Sequence, residues 1–313
     1  MNHSDIIQWL MLAKTPSIRN ITLEQLLRRP EGDADVKAEQ QAMKATGPIP
    51  NILSHQTKAG CWSSERSYYT PKYFSTHWSM LLLAELGADG SDPRMRKGAA
   101  FMLAATQNEL TTTLEKGGHG LSCFWGNLLR YSLHCSQADN LQIQDIIRYL
   151  ANDAQNNWCC PYNGGLPCAW GAARALWGLA ALPALQRSPI VEASIQSGIT
   201  FLLENHRLTT ADYPTHGQVH PFWFRLNFPL FYQADILFVL RVMAELRVLD
   251  HPGAQPALEW LLSKCRPGGR WRGASPFRRR TWPGLADPEE TSRWVSLFSA
   301  IILRQAGTEL FSL

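Results

Sequence analysis

A chain of 313 residues with 45% hydrophobic content has ample material for a core, and fits a large single barrel or a repeat fold better than one small domain. Charged residues make up only 18%, and the net charge of +4 comes without a sustained basic run. The densest basic segment, Arg278-Arg279-Arg280 beside Arg270 and Arg272, reads as a solvated loop, so no nucleic-acid partner is expected.

The N-terminal MNHSDIIQWLMLAK breaks its apolar run with Asp5 and Gln8 and lacks a small-residue cleavage site, so no export signal is expected. No apolar run of about 18 residues occurs anywhere, so no transmembrane helix is expected, while peripheral contact with a membrane stays open. Seven cysteines, an odd number, then point to reduced thiols and a cytoplasmic location.

From the N-terminus, residues 1–45 read as a helical arm and 46–313 as one domain built from a repeat. Strand patterns are nearly absent; helix-period patterns recur, broken by Gly, Pro and Asn. HWSMLLLAEL (77–86) is apolar nearly all round, and Asp92-Pro93 then starts the amphipathic RMRKGAAFMLAATQ (94–107). FWGNLLRYSL (124–133) is followed by LQIQDIIRYLANDAQ (141–155), and AWGAARALWGL (169–179) by Ser188-Pro189 and IVEASIQSGITFLLEN (190–205). FYQADILFVL (231–240) precedes His251-Pro252 and GAQPALEWLLSKC (253–265), and RWVSLFSAII (293–302) opens the last unit.

Trp78, Trp125, Trp170, Tyr232 and Trp294 thus hold one repeated position, just inside the start of an apolar helix. Each unit is an αα-hairpin recurring every roughly 45–60 residues. Helices apolar on every face must be buried on every face. Two concentric layers satisfy that demand, with apolar helices inside and amphipathic ones outside. The fold expected is therefore all-α, an α/α toroid of about six αα-hairpins; an open solenoid is the competitor.

The unit ends carry Gln56-Thr-Lys-Ala-Gly60-Cys-Trp62 and Pro267-Gly-Gly-Arg-Trp271, with Asn156-Asn157-Trp158 as a degenerate version. The first fits the Gln-x3-Gly-x-Trp pattern of terpenoid cyclases and protein prenyltransferases. With the hairpin repeat, residues 45–305 resemble the squalene–hopene cyclase-like α/α-toroid superfamily, in particular short bacterial proteins labelled prenyltransferase/squalene oxidase repeat proteins. The resemblance implies that Gln56, Trp62 and Trp271 tie outer helices together, and that an isoprenoid-like molecule occupies the central cavity. The chain departs from the family's acid motifs: neither Asp-x-Asp-Asp nor Asp-Asp-x-x-Asp occurs, and Asp33-Ala-Asp35 is only a partial echo in a polar connector. The zinc-ligand spacing of prenyltransferases is not reproduced either.

The repeat register places Cys123 and Cys168 alike, each two residues before a repeat tryptophan. His119 and Cys160 lie in loops that could fold back over the same helix ends. Together His119, Cys123, Cys160 and Cys168 would make a Cys3His zinc set; the bland reading is that the cysteines are small packing residues. A zinc-bearing toroid would resemble lanthionine cyclases, which activate thiols with zinc.

At the rim, Trp78, Trp125, Trp170, Tyr232 and Trp294 would form an aromatic ring joined by Trp223, with Phe124 and Phe224 as further members, able to stabilise a carbocation. The alternative is that they are mortar between repeats. Asp235, a carboxylate in an apolar helix, is the candidate acid, with His77 and Tyr232 as further catalytic candidates; it could equally be a structural partner of Arg225 or Tyr232. Arg225 and Asn227 could hold an anionic group on a rim loop spanning 213–232. The leading expectation is an enzyme that cyclises or isomerises a hydrophobic small molecule. The alternatives are a zinc-dependent enzyme acting on a thiol or peptide, and a non-catalytic lipid- or protein-binding toroid.

Overall fold

The computed structural model describes residues 3–208, 220–285 and 287–308. The protein is all-helical: no strand occurs among the described residues, only isolated bridges. The N-terminal segment forms α1 (His3–Met11), α2 (Pro16–Ile21, continued by a π-turn to Leu26), α3 (Ala34–Ala45) and α4 (Pro48–Ser54). Four hairpins and a last apolar helix follow among the described residues. The first helices are α5 (Thr76–Glu85), α7 (Ser122–His134), α9 (Ala169–Ala180) and α11 (Ile236–Glu245), and the last apolar helix is α13 (Pro288–Gln305). Their second helices are α6 (Pro93–Glu115), α8 (Leu141–Gln155), α10 (Pro189–Thr200) and α12 (Gln255–Ser263).

The apolar first helices pack in chain order, α5 on α7, α7 on α9, α9 on α11 and α11 on α13. Each of the first four also packs on its own second helix, and α6, α8 and α10 form a second row. Every residue of α9 from Ala169 to Leu179 is buried, as its all-round apolarity demands. No second helix follows α13 among the described residues; α1, α2 and the π-turn pack there instead. From that side α3 and α4 lead round to α5.

The start signals work chemically. The Asp92 carboxylate accepts the Arg94 N–H at 2.8 Å, and Asn140 accepts that of Gln142 at 3.0 Å. His251 plays the same part through Nδ1, which accepts the Gly253 N–H at 3.0 Å. Ser188 makes no such side-chain bond. Asp33 caps α3 by accepting the Asp35 N–H at 2.9 Å, so the acid-motif echo is a helix cap.

Three boundaries differ from the sequence pattern. Helix α6 runs eight residues beyond the expected Gln107 to Glu115, because no Gly or Pro interrupts it before Gly117. Helix α11 begins at Ile236, because the Asp235 carboxylate caps it and Tyr232 lies in the extended lead-in. Helix α13 begins at Pro288, so Trp294 sits roughly 9 Å inside the helix at 1.5 Å rise per residue rather than at its mouth.

The Gln/Gly/Trp motif behaves as a tie. Gln56 Nε2 donates to the Gly60 carbonyl (3.0 Å) and to that of Arg94 (2.8 Å) at the start of α6. Trp62 donates its indole N–H to the Ile52 carbonyl (2.7 Å) and its backbone N–H to the Thr76 hydroxyl (3.0 Å) on α5. Trp271 repeats this with Leu261 (2.8 Å) and with Ser296 (2.8 Å) on α13. Helices α7 and α9 cross where Gly126 meets the Arg174 carbonyl and Gly178 meets that of Gly126. Among the described residues no helix is long and apolar enough to cross a membrane.

Candidate functional site

Two cavities lie at opposite ends of the apolar helices. At their C-terminal ends, all five contribute to one of about 590 Å³, through residues such as Glu85, Arg130, Trp177, Arg241 and Phe298. Its charges are largely paired: Arg130 with Glu245 at 2.5 Å, and Arg241 with Glu85 at 2.7 Å. At the N-terminal ends of α5, α7 and α9 lies a cavity of about 490 Å³ with far more reactive chemistry. Its walls are Tyr68, Tyr69, Trp78, Phe124, Trp170 and Tyr232, with Cys123, Cys160 and Cys168 among them and Lys72, Glu109 and Asp153 as its charged residues.

Local structure explains why these residues converge. Residues 158–160 and 166–168 pair antiparallel, with Cys160 N–H donating to the Leu166 carbonyl (3.0 Å) and Cys168 N–H to that of Trp158 (2.9 Å). Alternation along an extended chain puts Cys160 and Cys168 on one face and Cys159 on the other. Cys168 then caps α9, its Sγ accepting the Gly171 N–H at 3.0 Å. The loop before α7 is held by α8: Asp153 Oδ1 accepts the Gly120 N–H at 2.7 Å, and the Tyr149 hydroxyl donates to the Gly120 carbonyl. Gly120 sits at φ +92°, a left-handed conformation that lets the loop press against Pro161.

The electrostatics set the groups apart. Cys160 is held down at about 5, first by the Cys168 side chain and then by the N–H groups of Leu121, Tyr162 and Asn163, which outweigh burial. Cys123 is pushed up to about 12 by burial, reinforced by Cys160. Asp153 is pushed up to about 7 by burial, against the Gly120 hydrogen bond and with Cys160 adding to the rise. Its Oδ2 is buried and accepts no hydrogen bond among the described residues. The Lys72 ammonium lies over the rings of Tyr69 (5.0 Å) and Tyr232 (4.8 Å), and burial lowers its pKa.

Comparison with protein-family models, curated proteins and solved structures finds no match.

Several expected site residues do reach this cavity: Trp78, Trp170, Tyr232, Cys123, Cys160 and Cys168. The zinc set is not assembled. His119 is exposed and outside the cavity wall, and no group of three or more His, Cys, Asp or Glu is placed to hold a metal ion among the described residues. Trp125, one residue further round α7 than Phe124, packs on Tyr149 with ring centroids 5.5 Å apart. Trp294 stacks on Phe228 at 4.4 Å, and buried Trp223 donates its indole N–H to the Leu208 carbonyl. Arg225 is exposed on a separate groove, and Asn227 Nδ2 donates to Asp235 Oδ2 at 3.0 Å. Of the 213–232 loop, residues 213–219 lie outside the described residues.

Asp235 takes a structural place. Its Oδ1 accepts the Phe238 N–H (2.8 Å) and its Oδ2 the Asn227 N–H (2.9 Å), so both oxygens are occupied, although burial raises it to about 6. His77 is fully buried outside the cavity wall, Nδ1 lying 3.1 Å from the Tyr131 hydroxyl, and burial lowers it to about 3, which keeps it neutral.

Residues missed at the sequence level carry much of the site. Asp153 falls on the apolar stripe of α8 with Ile146 and Leu150, a visible signal of a buried carboxylate. Arg174, in the midst of AWGAARALWGL, lies outside the cavity wall; it is buried and donates through Nε (3.0 Å) and Nη2 (2.7 Å) to the Gln233 carbonyl. Tyr68, Tyr69 and Lys72 come from an irregular segment with no periodic signal.

The Cys160 thiol is expected to react with iodoacetamide along a pH profile rising near 5 rather than near the ordinary thiol value of 9.0. Cys123 and Cys135, both held at about 12, should lag at neutral pH. Residue-resolved alkylation by mass spectrometry checks this; an ordinary profile at Cys160 would contradict the hydrogen-bond arrangement.

Proposed function

We propose that the two rows of helices close as an α/α toroid whose aromatic cavity binds an apolar, isoprenoid-like molecule and promotes its cyclisation or isomerisation. The observation that carries this reading is the meeting of a buried carboxyl and several aromatic walls in one cavity of about 490 Å³. That volume suits a small-molecule ligand.

In this mechanism Asp153 replaces Asp235 as the acid. With a pKa of about 7 it is protonated in about half of the molecules at neutral pH, and in these Oδ2 delivers the proton to a double bond of the substrate. The positive charge that develops lies against Trp78, Phe124 and Trp170, each contact contributing about 1–2 kcal/mol when desolvated. Lys72 already occupies the faces of Tyr69 and Tyr232 and its charge repels a carbocation, so the cation is best held on the side of Trp78, Phe124 and Trp170. Loss of a neighbouring proton to the Asp153 carboxylate regenerates the acid. A reducing, cytoplasmic setting suits the three thiols in the wall.

The test is turnover of polyprenyl substrates followed by product chromatography. Asp153→Asn keeps an oxygen for the Gly120 N–H but has no proton to give, and should lower kcat by about 10²–10⁴-fold. Wild-type turnover should fall as pH rises through about 7, because the acid must be protonated. Equal turnover by the variant would remove Asp153 from the chemistry.

A further inference from the structure

The isoprenoid reading leaves the thiols in the cavity wall unused. Cys160 and Cys168 share one face of the short antiparallel pairing and line the same cavity wall. The Cys160 carbonyl accepts the N–H groups of Asn163 (2.9 Å) and Gly165 (3.0 Å), which fixes the turn that carries the thiol. Asp153, with its Oδ2 accepting no bond among the described residues, lines the same cavity. Tyr162, 78% exposed, marks where the cavity meets solvent, and its inner walls are aromatic.

We propose that Cys160 and Cys168 form a redox-active dithiol that reduces apolar organic hydroperoxides and closes to a disulfide. A nucleophile, a neighbouring thiol and a proton donor are present together, and aromatic walls select an apolar oxidant.

The steps balance. The Cys160 thiol passes its proton to the Asp153 carboxylate and its sulfur attacks the terminal oxygen of the hydroperoxide; a sulfur–oxygen bond forms, the oxygen–oxygen bond breaks, and the alkoxide leaves with that proton, returned by Asp153, as the alcohol. Cys160 is then a sulfenic acid. The Cys168 sulfur attacks it, the sulfur–sulfur bond forms, and hydroxide leaves, taking up the Cys168 proton as water. Two thiols have been oxidised by two electrons and one hydroperoxide reduced. An external dithiol returns the pair to its starting state by exchange.

This inference does not rest on isoprenoid turnover and is read by a different product. The reduced full-length protein is mixed with cumene hydroperoxide at pH 7. Cumyl alcohol should form at least about tenfold faster than with free cysteine. The protein should lose two hydrogen atoms in mass, and peptide mapping should find a Cys160–Cys168 disulfide that dithiothreitol reverses. Cys168→Ser keeps a capping oxygen at the start of α9 and should stop at a dimedone-reactive sulfenic acid on Cys160. Cys160→Ser should remove the accelerated alcohol formation, while Cys265→Ser, away from the cavity, should leave it. Alcohol formation no faster than with free cysteine in the wild type would overturn the proposal. So would undiminished formation in Cys160→Ser, or a disulfide joining any other pair.

Discussion

Trp271→Ala is expected to destabilise the protein by about 3–5 kcal/mol, and Trp62→Ala by a similar amount. Both rings are fully buried, at 1% and 0% exposure. Each also bridges two layers: the indole N–H reaches the carbonyl ten residues back, and the backbone N–H reaches a hydroxyl on an apolar helix. Truncation removes the packing and the indole hydrogen bond at once, while the Ile52 and Leu261 carbonyls keep the backbone N–H groups of His55 and Lys264. Trp62→Phe and Trp271→Phe separate the terms, leaving most of the ring and removing a hydrogen bond worth about 1 kcal/mol. Trp158 provides the contrast. It is equally buried, but its Nε1 has no hydrogen-bond partner among the described residues, so Trp158→Phe should lose only packing. Chemical denaturation measures each difference; a loss below about 1 kcal/mol in both alanine variants would contradict the tie.

Gly126→Ala is the second large effect. On an ordinary helix the change would gain about 1 kcal/mol of helix propensity. Here the added methyl would fall against the Arg174 carbonyl and the Ala175 Cα of α9. Backbone cannot swing aside as a side chain can, so α7 and α9 must separate along their closest crossing. The net result should be a loss of about 1–3 kcal/mol, rising with Gly126→Val. Gly178→Ala meets the Gly126 carbonyl from the other side and should behave alike. Gly32→Ala, with no atom within 4 Å of the added carbon, should stay near zero. Equal stability of Gly126→Ala and Gly32→Ala would show that the crossing tolerates separation.

The sequence made the helices legible because their signals are local. Apolar residues at helical spacing, Asp92-Pro93 before α6, and Gly and Pro between elements all act within a few residues. The Gln56 and Trp62 tie was also readable, from motif resemblance. Less visible was where each helix begins. Asp235 and Asp287 act as caps, and that choice moves Tyr232 out of α11 and Trp294 deep into α13. One residue of rotation on α7 turns Trp125 toward Tyr149 and Phe124 into the cavity. The alignment of Cys123 with Cys168 correctly placed both in one wall, yet His119 depended on a loop path that no spacing fixes. Asp153 needed a different question: which charged residue lies on an apolar stripe?

The docking of α1 against α13 sets an order of assembly. The Trp9 indole N–H bonds Glu289, the Trp9 carbonyl accepts from Arg293, and the backbone N–H groups of Lys14 and Thr15 reach Glu290. These contacts span separations of about 275–284 residues, so α1 has only α2 and the π-turn to settle on until α13 has left the ribosome. Until then the face that α1 turns toward α13 stays open to water and to neighbouring chains. Synthesis should therefore pass through a late, chaperone-sensitive stage, ended by the arrival of α13.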